Sequence, residues 1–137
     1  MIKPYLTIVR GIPGSGKTSF VKEAKIECIH LEADMLCVRG DEYLWEPSQV
    51  RHNHDTLHKI AALVMDRGAD LVISNTFTQK WEFRDYIDYA QNRNYEVGVI
   101  RMTGEFENSH GVPQDIVDKM RKRFEDYEGE VLVPVQK

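Results

Sequence analysis

The sequence has little of what marks secreted or membrane proteins. Its 137 residues include only two cysteines, Cys28 and Cys37, and their spacing matches no metal site. Because disulfides are rare in reducing compartments, we expect both thiols to be reduced and the protein to be cytoplasmic. No run approaches the roughly 18 apolar residues of a membrane span, and the first residues lack the apolar segment of a signal peptide. We therefore expect no association with membranes.

Positive charge is also scarce. The chain has 18 lysines and arginines against 22 acidic residues, a net charge of −4. Proteins that coat nucleic acids are usually basic, so this balance argues against that class. An enzyme that contacts only the end of a nucleic-acid strand needs few phosphate contacts, so the net charge does not exclude that kind of enzyme. Length and an apolar content of 42% are typical of one globular domain spanning residues 1–137.

Strand and helix patterns alternate along the chain. Apolar runs predict five strands, at 5–9, 26–31, 71–74, 96–102 and 131–135. Periodicity and capping signals predict four helices, at 16–24, 48–68, 79–93 and 113–127. The polar segment 32–47 is expected to be irregular. This alternation predicts an α/β fold of three layers, with a parallel five-stranded sheet flanked by helices.

The segment 11–18, GIPGSGKT, matches the Walker A pattern of phosphate-binding loops, and it has a strand before it and a helix after it. Its glycines let the backbone curl so that N–H groups face phosphate oxygens. Lys17 is expected to reach the β- and γ-phosphates of ATP, and Thr18 to offer its hydroxyl to Mg²⁺. The residues predicted to bind the ATP phosphates are Ile12, Pro13, Gly14, Ser15, Gly16, Lys17, Thr18 and Ser19.

Two motifs missing from the sequence limit the kinds of reaction that the phosphate loop can serve. The Asn-Lys-x-Asp motif of GTPases does not occur, and the strand at 71–74 is followed by Asn75 instead of the carboxylate with which ATPases hold Mg²⁺. Both absences favour phosphoryl transfer to a bound acceptor over nucleotide hydrolysis. At the end of the second predicted strand, either Glu32 or Asp34 is placed to accept a proton from an acceptor hydroxyl.

Four segments together resemble the polynucleotide kinase-like P-loop kinases, which include the kinase domain of phage-type 5′-polynucleotide kinases and short AAA-type relatives. They are GIPGSGKTS at 11–19, LEAD at 31–34, VISNTFTQKWEF at 72–83 and NSHGVP at 108–113. The resemblance covers nearly the whole chain. It implies an ATP- and Mg²⁺-dependent kinase for the 5′-hydroxyl ends of DNA or RNA, with Lys17 as a catalytic residue and Asp34 as the general base. It also implies acceptor contacts by Arg39, Asn75 and Thr76.

One segment departs from the family's pattern. The lid loop, which carries arginine in relatives, has two glutamates and no arginine between residues 104 and 111. The positive charge that the transferred phosphoryl group needs is then expected from Arg121 or Arg123 of the following helix, or from Arg101. Two alternatives stay open: a kinase for a small acceptor, which the negative net charge slightly favours, and an ATP-binding module that catalyses poorly.

Overall fold

The computed structural model describes residues 3–23, 28–32, 38–39, 42–43, 50–104 and 112–133. For Thr18, Glu23, both residues of each short segment at 38–43, and residues 50–52, it describes the backbone alone. Asp34, Cys37 and the lid residues 105–111 lie outside the described part of the chain.

Within the described residues, strands and helices follow one another in the order that the sequence predicts, except for two additional short strands before the second helix. The strands are β1 (Tyr5–Arg10), β2 (Ile29–Glu32), β3 (Val38–Arg39), β4 (Glu42–Tyr43), β5 (Leu71–Asn75), β6 (Glu96–Met102) and β7 (Val131–Val133). The helices are α1 (Lys17–Glu23), α2 (Val50–Asp66), α3 (Trp81–Gln91) and α4 (Gln114–Arg123).

Five strands form one parallel sheet in the order β2-β5-β1-β6-β7. β1 lies at its centre, and Ile8 pairs with Ile73 of β5 on one side and Val99 of β6 on the other. Both faces of β1 and β5 are covered, and a strand that is buried on both faces needs apolar side chains at nearly every position. This explains the continuous apolar runs in their sequences. The predicted α/β fold with a parallel five-stranded sheet is confirmed.

Helices cover both faces of the sheet. Ile8 and Ile73 belong to the larger apolar cluster, which they form with residues of α2 and α3 such as Leu57 and Phe83. The next residues along the strands point the other way, so Val9 packs with Val21 of α1 on the opposite face. The result is a helix–sheet–helix sandwich, with every strand of the sheet ending at the same edge.

Several boundaries differ from the prediction. The short antiparallel pair β3–β4 lies in a segment predicted to be irregular, and β2 begins at Ile29. α4 ends at Arg123, earlier than predicted, because Phe124 adopts an extended backbone. The Phe124 ring is then packed by two guanidinium groups, those of Arg10 and Arg101, each 4.3 Å from its centroid. Among the described helices, none is long and apolar enough to cross a membrane.

Candidate active site

The phosphate loop connects β1 to α1 at the carboxyl edge of the sheet. Gly14 and Gly16 have φ angles of +86° and +98°, a region that side chains disfavour, so both positions require glycine. The N–H of Ser15 donates to the carbonyl of Ile12 at 3.1 Å, which closes the turn. The N–H of Gly11 donates to the carbonyl of Thr76 at 3.2 Å, which fastens the start of the loop to the segment after β5.

Position 11 requires glycine because the surrounding atoms leave no room for a side chain, and not because of its backbone angles. A Cβ atom built there would collide with the Ser15 side chain and lie 3.0 Å from the carbonyl oxygen of Met102. The Ser15 side chain occupies the space that a side chain at position 11 would need, and Ser15 is 1% exposed. Its hydroxyl is buried and finds no hydrogen-bond partner within the described residues. A buried hydroxyl in this state costs free energy, and a phosphate oxygen would satisfy it.

Lys17 begins α1 and folds back over the loop. Its ammonium donates to the carbonyl of Gly11 at 2.7 Å and to that of Ile12 at 3.2 Å. Of the predicted residues 12–19, the first five form the turn between β1 and α1, and the last three form the start of α1, with the Lys17 ammonium bent towards the turn. Thr18 follows in the first turn of α1, and its side chain lies outside what the structure describes.

Asn75 is the last residue of β5 and Thr76 follows it, next to the phosphate loop, where the Thr76 carbonyl accepts from the N–H of Gly11. The Asn75 side-chain oxygen accepts from the N–H of Thr76 at 2.8 Å, which fixes the orientation of the amide. The other end of that amide, Nδ2, is buried and has no partner in the described part of the chain. Arg39 is in β3, but its side chain is not described, and Asp34 falls outside the described residues.

The partners of Glu32 were not anticipated. The carboxylate accepts from the hydroxyl of Ser74 on β5 at 3.0 Å, and that hydroxyl also lies 2.6 Å from Nε2 of His30. Burial lowers the pKa of His30; Glu32 opposes this shift, and Lys22 of α1 adds to it. The only signal in the sequence was the alternation His30-x-Glu32, which places both side chains on one face of β2.

Arg10 is a neighbour of the phosphate loop that sequence reasoning missed. It directly precedes the loop, and its side chain is fully buried. The guanidinium donates to the Phe77 carbonyl at 2.8 and 3.0 Å, and to the carboxylate of Glu130 at 2.8 Å. Burial lowers the pKa of Arg10, and Glu130 opposes that shift. The available signal was an arginine at the end of an otherwise apolar strand.

The Phe77 backbone is shaped around this contact. Phe77 has a φ of +44°, an uncommon conformation for a bulky residue, and its side chain is 1% exposed. The conformation lets the ring enter the core while the carbonyl faces Arg10. The segment Asn75–Thr78, which contains both predicted acceptor residues, is therefore anchored through Arg10 to the strand that carries the phosphate loop.

A cleft of about 160 Å³ opens beside the loop. Its lining residues come from three places in the chain, the phosphate loop, the end of β6 and the end of α4: Ile12, Arg101, Met102, Thr103, Gly104, Arg121 and Phe124. Arg121 and Arg101 thus lie on the cleft, as two of the three cations that the sequence offered. Arg123 points elsewhere, since its Nε donates to the hydroxyl of Thr78 at 3.1 Å.

The two cations on the cleft differ in their partners. Arg101 lies 2.5 Å from the carboxylate of Asp126 and 3.5 Å from that of Glu130. Arg121 is 56% exposed, and its partner Asp118 lies one turn back at 3.9 Å. Among the described residues, no cluster of three histidine, cysteine, aspartate or glutamate side chains is arranged to hold a metal ion.

The family model of an AAA domain matches residues 6–105, which include the phosphate loop, β5 and all of β6. The chain belongs to this AAA domain family. A curated relative, human NEDD4-binding protein 2, is 24% identical over 144 residues. The match covers 95% of this chain but only 8% of the human protein. This AAA domain therefore corresponds to a small part of that relative.

Solved structures share the fold of this AAA domain at low sequence identity. A kinase candidate from Chloroflexus aurantiacus superposes with a TM-score of 0.73 at 16% identity, covering 97% of this chain and 89% of the other. A sugar kinase from Janibacter sp. gives 0.63 at 16% identity, covering 96% and 84%. A chain of the Pnkp1/Rnl/Hen1 complex gives 0.59 at 15% identity, covering 87% and 39%. The fold is that of P-loop kinases, whose acceptors differ.

Proposed function

We propose that this AAA domain is an ATP-dependent phosphotransferase that transfers the γ-phosphate to the 5′-hydroxyl end of a nucleic acid. The observation that carries the proposal is the phosphate loop, in which the Ser15 hydroxyl is buried with no partner among the described residues and the Lys17 ammonium bends over the turn. The Pnkp1/Rnl/Hen1 complex among the structural neighbours is an RNA repair complex, which supports the choice of acceptor.

The donor is held by the loop residues 12–19. The Ser15 hydroxyl and the backbone N–H groups bind phosphate oxygens, and Lys17 bridges the β- and γ-phosphates. Mg²⁺ fits this site because the buried Ser15 hydroxyl, which has no partner in the described part of the chain, marks a place for a phosphate chain. The metal would bind that phosphate chain, and Thr18 would be its protein ligand. When bound, Mg²⁺ neutralises charge on the β- and γ-phosphates.

The transfer step uses a single carboxylate. The acceptor oxygen attacks the γ-phosphorus while the bond to the β–γ bridging oxygen breaks, and ADP leaves with that bond's electron pair. Asp34 accepts the proton of the hydroxyl as the new bond forms. Asn75 and Thr76 line the acceptor side, where the buried Nδ2 of Asn75 supplies a donor, and Arg39 meets a phosphate of the acceptor strand.

Arg121 is the cation that we assign to the transferred phosphoryl group. It shares the cleft with Ile12 of the loop, and its carboxylate partner at 3.9 Å is weak and exposed. Arg101 is held by two carboxylates, and Arg123 donates to Thr78. Arg121→Ala should lower kcat by roughly 10³-fold, the scale of an arginine at this step, with Arg123→Ala as the matched control.

A small-molecule acceptor is the second candidate. The net charge of −4 favours it, because a polyanionic strand gains less from an acidic protein. The sugar kinase among the structural neighbours has the same fold.

The deciding experiment measures transfer of labelled γ-phosphate from ATP·Mg²⁺ to short 5′-hydroxyl DNA and RNA strands, with nucleosides and sugars in parallel. Asp34→Asn is the control, since it keeps the side-chain shape and removes the base. Label at the 5′ end that disappears in Asp34→Asn supports the proposal. Label on a nucleoside or sugar but not on strands supports the second candidate. Binding of ATP with no transfer to any acceptor overturns both.

A further inference from the structure

The carboxylate of Glu32 is held in place at the edge of the sheet where the phosphate loop lies. The Ser74 hydroxyl donates to it at 3.0 Å, and Ser74 is fully buried, so this support is rigid. His30 lies 2.6 Å from the same hydroxyl and 3.9 Å from the carboxylate. The Glu32 side chain is nevertheless 16% exposed, so the carboxylate is not sealed in the core.

The strand register locates this carboxylate relative to the loop. Glu32 pairs with Ser74, and Ser74 pairs with Val9 of β1, so the three residues form one row across the sheet. Val9 lies two residues before Gly11, about 7 Å of strand. The Glu32 side chain extends towards β5, where it accepts a hydrogen bond from Ser74. The Glu32 carboxylate is therefore separated from β1 by only about one strand spacing.

The carboxylate also lies on the correct face. Val72 and Val9 pack with Val21 of α1, and Ser74 points to the same face as Val72 because strand side chains alternate. Glu32 therefore sits on the face that carries the helix following the phosphate loop.

We propose that Glu32 is the carboxylate that positions the hydrated Mg²⁺ of the bound nucleotide, and that Ser74 is the residue that positions Glu32. β5 ends without a carboxylate of its own, and the bond from Ser74 brings one to that strand from β2. Mg²⁺ keeps several of its waters in nucleotide sites, and a fixed carboxylate accepts hydrogen bonds from them. The inference rests on the ATP·Mg²⁺ binding of the proposed function and is independent of its acceptor.

The test compares nucleotide affinity with and without metal. Calorimetric titration with a non-hydrolysable ATP analogue, in Mg²⁺ and in EDTA, gives the factor by which Mg²⁺ strengthens binding. The variants are Glu32→Gln, which keeps the shape and removes the charge, and Ser74→Ala. Glu96→Gln is the matched control, because Glu96 is an exposed carboxylate at the start of β6, at the opposite edge of the sheet.

The expected results have opposite signs in the two buffers. Glu32→Gln should weaken binding in Mg²⁺ about tenfold, the lower end of what supporting groups contribute to metal affinity. In EDTA it should tighten binding about threefold, because a negative charge near the phosphates is gone. Ser74→Ala should lower the Mg²⁺ factor and leave the EDTA affinity unchanged. Glu96→Gln should change neither.

Two outcomes overturn the proposal. If Glu32→Gln weakens binding equally in both buffers, the residue is structural; if it changes neither, the carboxylate is remote from the metal. Mn²⁺ electron paramagnetic resonance of the nucleotide complex gives a second reading, since loss of metal affinity must appear there as well. These readouts do not involve the acceptor. The proposal therefore stands if no 5′-hydroxyl strand is phosphorylated, and it fails separately if Mg²⁺ dependence is unaltered.

Discussion

Removing one partner of the buried pair Arg10–Glu130 should destabilise the fold far more than removing one partner of its exposed neighbour, the pair Arg101–Asp126. Arg10 is 0% and Glu130 7% exposed, and their atoms are 2.8 Å apart. Removing one partner of such a pair leaves an uncompensated buried charge, which costs about 3–5 kcal/mol. Glu130→Gln keeps an oxygen acceptor, so we expect about 3 kcal/mol. Because domains of this size unfold with about 5–15 kcal/mol, this is a large fraction of the total.

Asp126→Asn is the control. The Asp126 side chain is 92% exposed, and an ion pair in that setting is worth about 0–1 kcal/mol. Urea denaturation followed by circular dichroism measures both variants against the native chain. The double variant Arg10→Met with Glu130→Gln should cost less than the sum of its two single changes, because no lone charge stays buried. Equal costs for Glu130→Gln and Asp126→Asn, or strict additivity in the double variant, would refute the reasoning.

Three further predictions concern residues outside these two ion pairs. Gly11→Ala should weaken nucleotide binding, measured by calorimetry, because the new Cβ displaces the Ser15 hydroxyl and crowds the Met102 carbonyl. Gly98→Ala should bind normally, since its Cβ would lie 3.7 Å from a tyrosine ring. Tyr86→Phe should raise stability by up to about 1 kcal/mol in urea, since its hydroxyl is buried without a partner among the described residues. Burial lowers the pKa of His58, so the free energy of unfolding should decrease as the pH drops below 6.5, the ordinary pKa of histidine. His58→Phe keeps a ring stacked on Tyr86 and should reduce this dependence on pH.

The parts of the fold that could be predicted are those encoded by short patterns. The apolar run of β1 followed by GIPGSGKT predicts a strand, a phosphate loop and a helix from about 14 neighbouring residues, because the loop's conformation is set by its own glycines. The alternation of strands and helices then predicts the sheet type, since parallel strands need helical crossovers. Boundaries were less predictable where tertiary contacts override local preference, as at Phe124, whose ring leaves the helix to pack between two arginines.

The polar arrangement around the loop could not be predicted, because its members are distant in the sequence. Glu32 and Ser74 are 42 residues apart, and Arg10 and Glu130 are 120 apart. Periodicity within a window places each of these residues on a face, but it does not say which side chain it will meet. The signals that a single sequence contains are a charged residue at the end of an apolar strand, as with Arg10, or two polar residues that alternate along a strand, as with His30 and Glu32.

Arg10 links the parts of the chain that the proposed reaction uses. Its backbone directly precedes the phosphate loop, and its guanidinium fixes the Phe77 carbonyl beside Asn75 and Thr76, the residues proposed to bind the acceptor. It also packs against Phe124 of the cleft and pairs with Glu130. Because an arginine fork has a fixed geometry, these contacts hold at the same time only in one arrangement of loop, acceptor segment and cleft. A change at Glu130, far from any phosphate, should therefore disturb ATP binding and acceptor binding together, whereas a change at Asp126 should disturb neither.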